Sequence, residues 1–522
     1  MASHLSASSR SCNKTPASLD PRGCSCAPFM VMAESTQEPP LHVVVFPWLA
    51  FGHIVPFLEL AGQLARRGHL VTFVSAPRNV ARLPRELSPR IRLVSLPLPA
   101  VDGLPDGAES TADVPPEKVE LLKLAFDGLA GPVASFLAEA FAGAGGEGHA
   151  KRPDWIILDF AHNWLPPIAE QHKVPCALFL IFPAPFVAFM GPKAANDAHP
   201  RTAPEQFTVP PPWIPSASST PAFHLHEAKR IAGGFHPNAS GTSDMSRFWE
   251  TERRCPLLVC RSSREVDGPA ACALLRELYG KPVVPSGLLA PYDAVLAAAH
   301  AGGGGGGEEE EDAGGGVGPV MRWLDAQPAR SVLYVAFGSE APLSPALVRE
   351  VALGLEIAGV RFLWALRKHA AAAGGGLLPA GFERRVAAAG RGVVRAGWLP
   401  QVRVLAHAAV GAFMTHAGWS SLVESFLLGH PLVMLPLAGD QGLTARVMAA
   451  RRAGLEVPRA ADDGSVARDD VAAAVRRVMV EEEGEAFARA ARELQRVLWD
   501  RETQEGYVDD LVHNLLLQRR RE

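Results

Sequence analysis

Apolar residues recur along this chain in short runs of strand length, separated by stretches whose apolar positions follow helical spacing. His42–Phe46, His69–Ser75, Ile91–Leu96 and Trp155–Leu158 are such runs. Most lack a regular polar alternation, which marks strands covered on both faces. Between the first two, Val55–Arg67 sets Phe57, Leu58, Ala61, Leu64 and Ala65 on one helical side, and Gly68 closes it. A long helical pattern spans Val119–Phe141. Cys176–Ile181 and Leu257–Cys260 read as further strands, and Pro269–Leu278 as a helix. Residues 192–250, rich in Pro, Ala, Ser and His, read as loops and short helices over the sheet edge. The alternation resumes with strands at Ser331–Phe337, Arg361–Leu366, Gly392–Arg395, Val410–Thr415 and Leu432–Leu435. Helical patterns between and after them cover Leu343–Ala358, Trp419–Leu428, Thr444–Arg452, Val466–Val480 and Glu485–Leu498. Strands that alternate with helices in this way build parallel, doubly wound sheets. The expected fold is α/β: two facing halves, 41–290 and 319–505, with a ligand cleft between them.

Composition divides the remainder. The chain has 522 residues, enough for two sizeable cores. Residues 1–40 are expected to be a disordered tail; a transit peptide is the competing reading of its Ser- and Arg-containing, acid-poor start. Ala301–Gly318 is a Gly/Glu run, so 291–318 reads as a flexible linker. Residues 506–522 are expected to form a C-terminal helix packing back on the first half. Val174–Gly191 approaches the length of a membrane span, but Pro175, Pro183 and Pro185 interrupt it, so it reads as the buried strand Cys176–Ile181 followed by a loop, and no integral membrane segment is expected. A net charge of −4 with acids and bases nearly balanced argues against nucleic acid as the main partner. The seven cysteines include no C-x-x-C pair, so neither a zinc site nor a disulfide framework is expected. A reducing, cytoplasmic setting and a monomer fit these features.

The densest candidate chemistry runs from Trp398 to Gln441. The strand Val410–Thr415 ends at His416, turns through Ala417 and Gly418, and enters a helix at Trp419-Ser420-Ser421. A helix N-terminus at the carboxyl edge of a sheet offers free N–H groups and the positive end of a dipole, which suits a phosphate or diphosphate. His416, Ser420 and Ser421 sit where they can add hydrogen bonds, and Glu424 lies one turn further on. In the first half, His53 follows one strand and Asp159 closes another. Ligands in open α/β sheets bind at strand carboxyl ends. A carboxylate behind an imidazole makes a general base. Position alone leaves two blander readings: His53 as a surface or capping residue, and Asp159 as a helix cap. No Asp-x-Asp occurs, and His407, His416 and His430 lack metal-ligand spacing, so no catalytic metal is expected.

These residues carry a resemblance. Trp398–Gln441 resembles, without a gap, the signature box of plant family-1 UDP-glycosyltransferases acting on secondary metabolites. The matches are W-x-P-Q at Trp398, Pro400 and Gln401; H-x-A-x-G-x-F at His407–Phe413; T-H-x-G-W at Thr415–Trp419; S-x-x-E at Ser421–Glu424; G-x-P at Gly429–Pro431; and D-Q at Asp440–Gln441. The likeness extends over 41 to about 505, including Phe337–Ser339 and Val43–His53. It implies two facing Rossmann-like domains (the GT-B type) and an inverting sugar transfer from a UDP-sugar, a co-substrate rather than a cofactor. It implies that Trp398 stacks on uracil and that Gln401 lies beside ribose and base. Glu424 would hold the ribose hydroxyls. His416, Gly418, Trp419, Ser420 and Ser421 would surround the diphosphate, with Ser339 opposite. Asp440 and Gln441 would bind the donor sugar. His53 becomes the base and Asp159 its orienting partner. Two positions depart from the family: Ala417 stands where Cys is usual, and Ser420 where Asn is usual. The shorter Ser420 is expected to weaken donor affinity, reaching phosphate through water.

Pro47–His53, Ala76–Asn79 and Leu96–Thr111 resemble the sub-group that adds a sugar to a sugar, extending flavonoid, anthocyanin or terpenoid glycosides. The expected donor is UDP-glucose and the acceptor a small glycoside or its aglycone. UDP-rhamnose as donor and a degenerate, non-catalytic nucleotide-sugar binder are the alternatives. A dehydrogenase of the same fold class ranks far behind, because no G-x-G-x-x-G follows the first strand.

Overall fold

The first half is built on seven strands: β1 (His42–Phe46), β2 (Leu70–Ser75), β3 (Ile91–Ser95), β4 (Trp155–Leu158), β5 (Cys176–Leu180), β6 (Leu257–Cys260) and β7 (Val283–Pro285). They form one parallel sheet in the order β3-β2-β1-β4-β5-β6-β7. The second half has six: β8 (Val332–Ala336), β9 (Arg361–Leu366), β10 (Gly392–Ala396), β11 (Val410–Thr415), β12 (Leu432–Met434) and β13 (Gly454–Glu456). Their order is β10-β9-β8-β11-β12-β13, again parallel. This computed structural model describes residues 39–142, 152–215, 221–301, 317–338, 340, 343–367 and 377–519, and 40–522 form one compact unit. The tail expected over 1–40 falls, but for its last two residues, outside the described residues.

Both sheets are covered on both faces, as their apolar runs require. Successive residues of β1 point to opposite sides. Val43 and Val45 pack with Phe57, Leu60 and Leu64 of the helix Phe51–Arg66. Val44 and Phe46 join Leu122 and Phe126 on the other face. In β8, Leu333 and Val335 meet Val348 and Leu355 of the helix Pro345–Ala358, while Tyr334 stacks on Phe413 at 5.2 Å on the opposite side. The last helix, Arg501–Arg519, returns to the first half: Val508, Leu511 and Leu515 join the layer of Leu41, Val43 and Trp155, and Trp155 Nε1 donates to the Leu515 carbonyl at 3.1 Å.

Three expectations are corrected. The linker expected over 291–318 is helical at both ends, Tyr292–Ala301 and Val317–Asp325. Tyr292 is buried with its hydroxyl on the Leu498 carbonyl, and Val320 and Leu324 enter the second core, so the apolar face decides these ends and the glycine run does not. Residues 302–316 lie outside the described residues. The single helix expected over Val119–Phe141 is two, Val119–Asp127 and Ala130–Ala142. The chain breaks at Gly128, against which Pro99 packs so closely that a Cβ would lie 2.4 Å from its Cγ. By length and hydropathy Pro116–Ala140 is apolar enough to cross a membrane, but here Leu122, Phe126 and Val133 lie in the first core. Finally, Val174–Gly191 is the strand β5 followed by the helix Ala184–Met190, where a loop was expected.

Candidate active site

The strand order places one switch point in each sheet. In the first, succession runs outward from β1 to β2 and β3 on one side and from β4 to β7 on the other. The crevice between β1 and β4 is where such sheets bind ligands. His53 stands in the first turn of the helix after β1, and Asp159 directly follows β4. Their side chains meet: His53 Nδ1 lies 2.7 Å from Asp159 Oδ2. The same oxygen accepts the Trp48 amide at 3.0 Å, and Oδ1 accepts the Phe160 amide at 2.7 Å. Burial works to raise the Asp159 pKa, but His53 and these donors outweigh it and the carboxyl is held below its usual range. On His53, burial alone favours the neutral ring. The Asp159 carboxylate overcomes that, and the net shift is upward. With Nδ1–H on the carboxylate, Nε2 keeps its lone pair for a substrate proton. The ring is 13% exposed, with Phe160 and Phe182 at 5.7 and 5.8 Å.

In the second sheet the switch lies between β8 and β11. β11 ends at Thr415, and the chain then passes through His416 and Ala417 to the helix Trp419–Leu427. Ala417 is fully buried at φ +64°, a left-handed conformation that a non-glycine residue rarely adopts. The first intrahelical bond runs from Leu422 N to Gly418 O at 3.1 Å, so the amides of Trp419, Ser420 and Ser421 precede the ladder at the positive end of the helix. The His416 ring lies between two glycines: a Cβ on Gly338 or Gly418 would fall 2.7 or 2.5 Å from it. Burial, helped by Arg367, pushes its pKa down to about 4, so the ring is neutral at physiological pH.

The remaining donor-side residues fall into separate groups. Gln401 Nε2 donates to Glu424 Oε2 at 2.8 Å and to Ser421 Oγ at 3.2 Å, joining three expected site residues in one cluster. Burial raises the Glu424 pKa, against the pull of Gln401 and Arg261. Trp398 stands apart as an open ring, 81% exposed. Gln441 Oε1 accepts the amides of Leu437 and Ala438, both at 2.8 Å, which leaves its NH2 group for other partners. Asp440 is buried with its pKa pushed up to about 6 by burial, and the charge of His53 acts on it across the cleft. Ser339 lies outside the described residues.

Two residues expected at the diphosphate make other contacts. Trp419 is 4% exposed, packs in the second core and sends its indole N–H to the Arg261 carbonyl at 3.1 Å, so only its backbone remains at the helix start. Ser420 Oγ accepts a hydrogen bond from Arg261 Nη1 at 2.8 Å. Arg261 was not singled out from the sequence, although it directly follows β6 and the strand-end rule that found Asp159 applies to it equally. His162 was also missed. Its Nδ1 lies 3.1 Å from the Asp159 carbonyl, its ring packs on Phe46 and Phe126, and burial takes its pKa to about 4.

Two Rossmann-like halves, each with a switch point at its strand ends, make the fold one of the GT-B type. The family described as UDP-glucoronosyl and UDP-glucosyl transferase matches residues 319–503. UDP-glycosyltransferase 91C1 of Arabidopsis thaliana is 38% identical over 479 residues, covering 91% of this chain and 96% of the relative. Anthocyanidin-3-O-glucoside rhamnosyltransferase of Petunia hybrida is 32% identical over 487 residues, covering 91% and 96%. Among solved structures, Phytolacca americana UGT2 complexed with UDP-2fluoro-glucose and pterostilbene shares the fold with a TM-score of 0.67 at 22% identity, covering 91% of this chain and 99% of that one. The chain belongs to the plant family-1 UDP-glycosyltransferases of secondary-metabolite type; it is a glycosyltransferase.

Proposed function

We propose that this enzyme transfers glucose from UDP-glucose, with inversion, to a hydroxyl on the sugar of a flavonoid or terpenoid glycoside. The observation that carries the catalytic part is the 2.7 Å contact between His53 Nδ1 and Asp159 Oδ2, at the switch point of the first sheet. His53 Nε2 takes the acceptor hydroxyl proton as that oxygen attacks the anomeric carbon. Asp159 stabilises the imidazolium that forms. The bond from the anomeric carbon to the diphosphate oxygen breaks on the opposite face, and UDP leaves with the electron pair. The growing negative charge falls on the start of the helix Trp419–Leu427, where backbone N–H groups and the neutral His416 ring stand ready. Glu424, held by Gln401, takes the ribose hydroxyls, and the exposed Trp398 ring takes uracil. Asp440 and the free NH2 of Gln441 take hydroxyls of the donor sugar.

The sugar-on-sugar reading rests on the loop sequences Pro47–His53 and Leu96–Thr111 and gains support from the printed name of the petunia relative, whose acceptor is a glucoside. That name also favours a second reading of the donor, UDP-rhamnose. A screen of UDP-glucose and UDP-rhamnose against flavonoid and terpenoid glycosides and their aglycones, read by product mass and UDP release, tests both points. The expected result is a hexose added to the glycosides. Good transfer to aglycones with none to glycosides overturns the acceptor assignment, and deoxyhexose products overturn the donor assignment.

A further inference from the structure

Arg261 is 3% exposed and belongs to the first half, yet its guanidinium ends at the start of the diphosphate helix in the second. Its backbone is locked from both sides: its N–H donates to the Leu180 carbonyl at 2.8 Å, and its carbonyl accepts the Trp419 indole N–H at 3.1 Å. Nε donates to the Leu288 carbonyl at 2.8 Å and Nη1 to Ser420 Oγ at 2.8 Å. Nη2 donates to no described residue, and no carboxylate among the described residues lies within ion-pair distance of the guanidinium. Glu59 and Glu424 act on it only at longer range. Glu424 is already hydrogen-bonded to Gln401. A buried cation without an ion pair is strongly unfavourable unless an anion completes it. An arginine fork is also the side chain best matched to phosphate oxygens.

We propose that Arg261 is a ligand of the donor diphosphate, reaching it from the acceptor-side half with Ser420 as its anchor. The proposal rests on the reading that a UDP-sugar is the donor and that its diphosphate sits at the start of the helix Trp419–Leu427. It changes the meaning of Ser420. Where the family carries a longer Asn side chain, this chain has a short hydroxyl that leaves room for a guanidinium and holds it in place. The positive charge is supplied from one half and the helix dipole from the other, so UDP itself draws the two halves together.

The test is calorimetric titration of the full chain with UDP and with uridine, which lacks the phosphates. Wild type is expected to bind UDP more tightly than uridine. In Arg261→Met, UDP is expected to weaken by about 10- to 100-fold, the loss of a charge-assisted hydrogen bond, while uridine stays within about twofold. Arg261→Lys should fall between. If Arg261→Met melts earlier but keeps the wild-type ratio of UDP to uridine affinity, Arg261 is a strut between the halves and the proposal is overturned. If that variant does not fold, Arg261→Gln gives the same decision: a UDP-selective loss supports the proposal, and an unchanged ratio overturns it. A wild-type protein that binds neither UDP nor uridine overturns instead the donor assignment beneath it.

Discussion

At the scale of the residue, His53 is set by two opposed influences. Burial lowers its pKa, and the Asp159 carboxylate raises it by more. A general base works only when deprotonated, so kcat/KM is expected to rise with pH through a midpoint above the ordinary imidazole value of 6.5. Asp159→Asn removes the charge and leaves the burial. The midpoint should then move down while the plateau rate falls, because nothing stabilises the imidazolium. A pH profile of both proteins checks this; a midpoint that stays put would mean that another group sets the acid limb. His53→Ala should cost transfer about 10²–10⁴-fold. UDP affinity, measured separately, should be nearly unchanged, since the donor groups other than Arg261 belong to the other half. Both dyad residues were legible as candidates, since Asp159 ends one apolar run and His53 opens the helix after another, but position alone left blander readings and the family resemblance carried their pairing. Arg261 follows an equally plain run. It went unread because a lone arginine between Cys260 and Ser262 suggests surface, and only the fold shows it turned inward to Ser420.

Elements set the next constraints. In the turn from β11 into the helix Trp419–Leu427, the His416 ring packs so closely between Gly338 and Gly418 that neither leaves room for a Cβ. Gly338 also has φ +70°, a conformation that costs an alanine about 1–2 kcal/mol. Gly338→Ala should therefore lower the melting temperature and displace the His416 ring, weakening UDP about tenfold or more. Gly359→Ala is the control. It has nearly the same φ, +71°, but the one tight approach its Cβ would make is to the flexible end of Arg391, at 3.3 Å. It should lose similar stability and no UDP affinity. Equal loss of UDP in both variants would assign the effect to backbone strain alone. The elements themselves were readable wherever burial on two faces leaves an unbroken apolar run, as in β1, β4, β8 and β11. Short edge strands such as β7 and β13, of three residues each, give too little pattern to read. The helix Tyr292–Ala301 was hidden by the glycine run that follows it, although Tyr292 and Val295 carry its buried face.

Across the whole molecule, the two halves also meet through a charge cluster away from the dyad. Arg446, on the helix Gln441–Ala450 that begins at the donor-sugar residues, bonds Glu227 of the helix Leu225–Gly233 in the first half and Glu456 of its own half at 3.2 Å. All three side chains are largely buried, at 16, 11 and 17% exposure. Arg446→Met leaves two buried carboxylates without an ion-pair partner, with only the longer-range charge of Arg459 to offset them, which is expected to cost about 3 kcal/mol at pH 8. The cost should depend on pH, and its sign follows from proton counting. Burial already pushes Glu456 up to about 7, with Arg446 pulling against it and Glu227 adding to it. Removing Arg446 raises that pKa further. Between the unfolded value, near 4.3, and the folded one, the native state holds a proton that the unfolded chain has released. Stability therefore falls as pH rises through that window. Urea unfolding at pH 5 and pH 8 should show the variant losing clearly more at pH 8, because at pH 5 the carboxyls can share a proton. Equal losses at the two pH values would show that Arg446 holds the halves by packing alone. Titration of the same variant with UDP-glucose and with UDP reports whether this contact also positions Asp440 and Gln441. The helix carrying Arg446 starts at those two residues, and loosening it at Arg446 should weaken the grip on the donor sugar more than the grip on UDP.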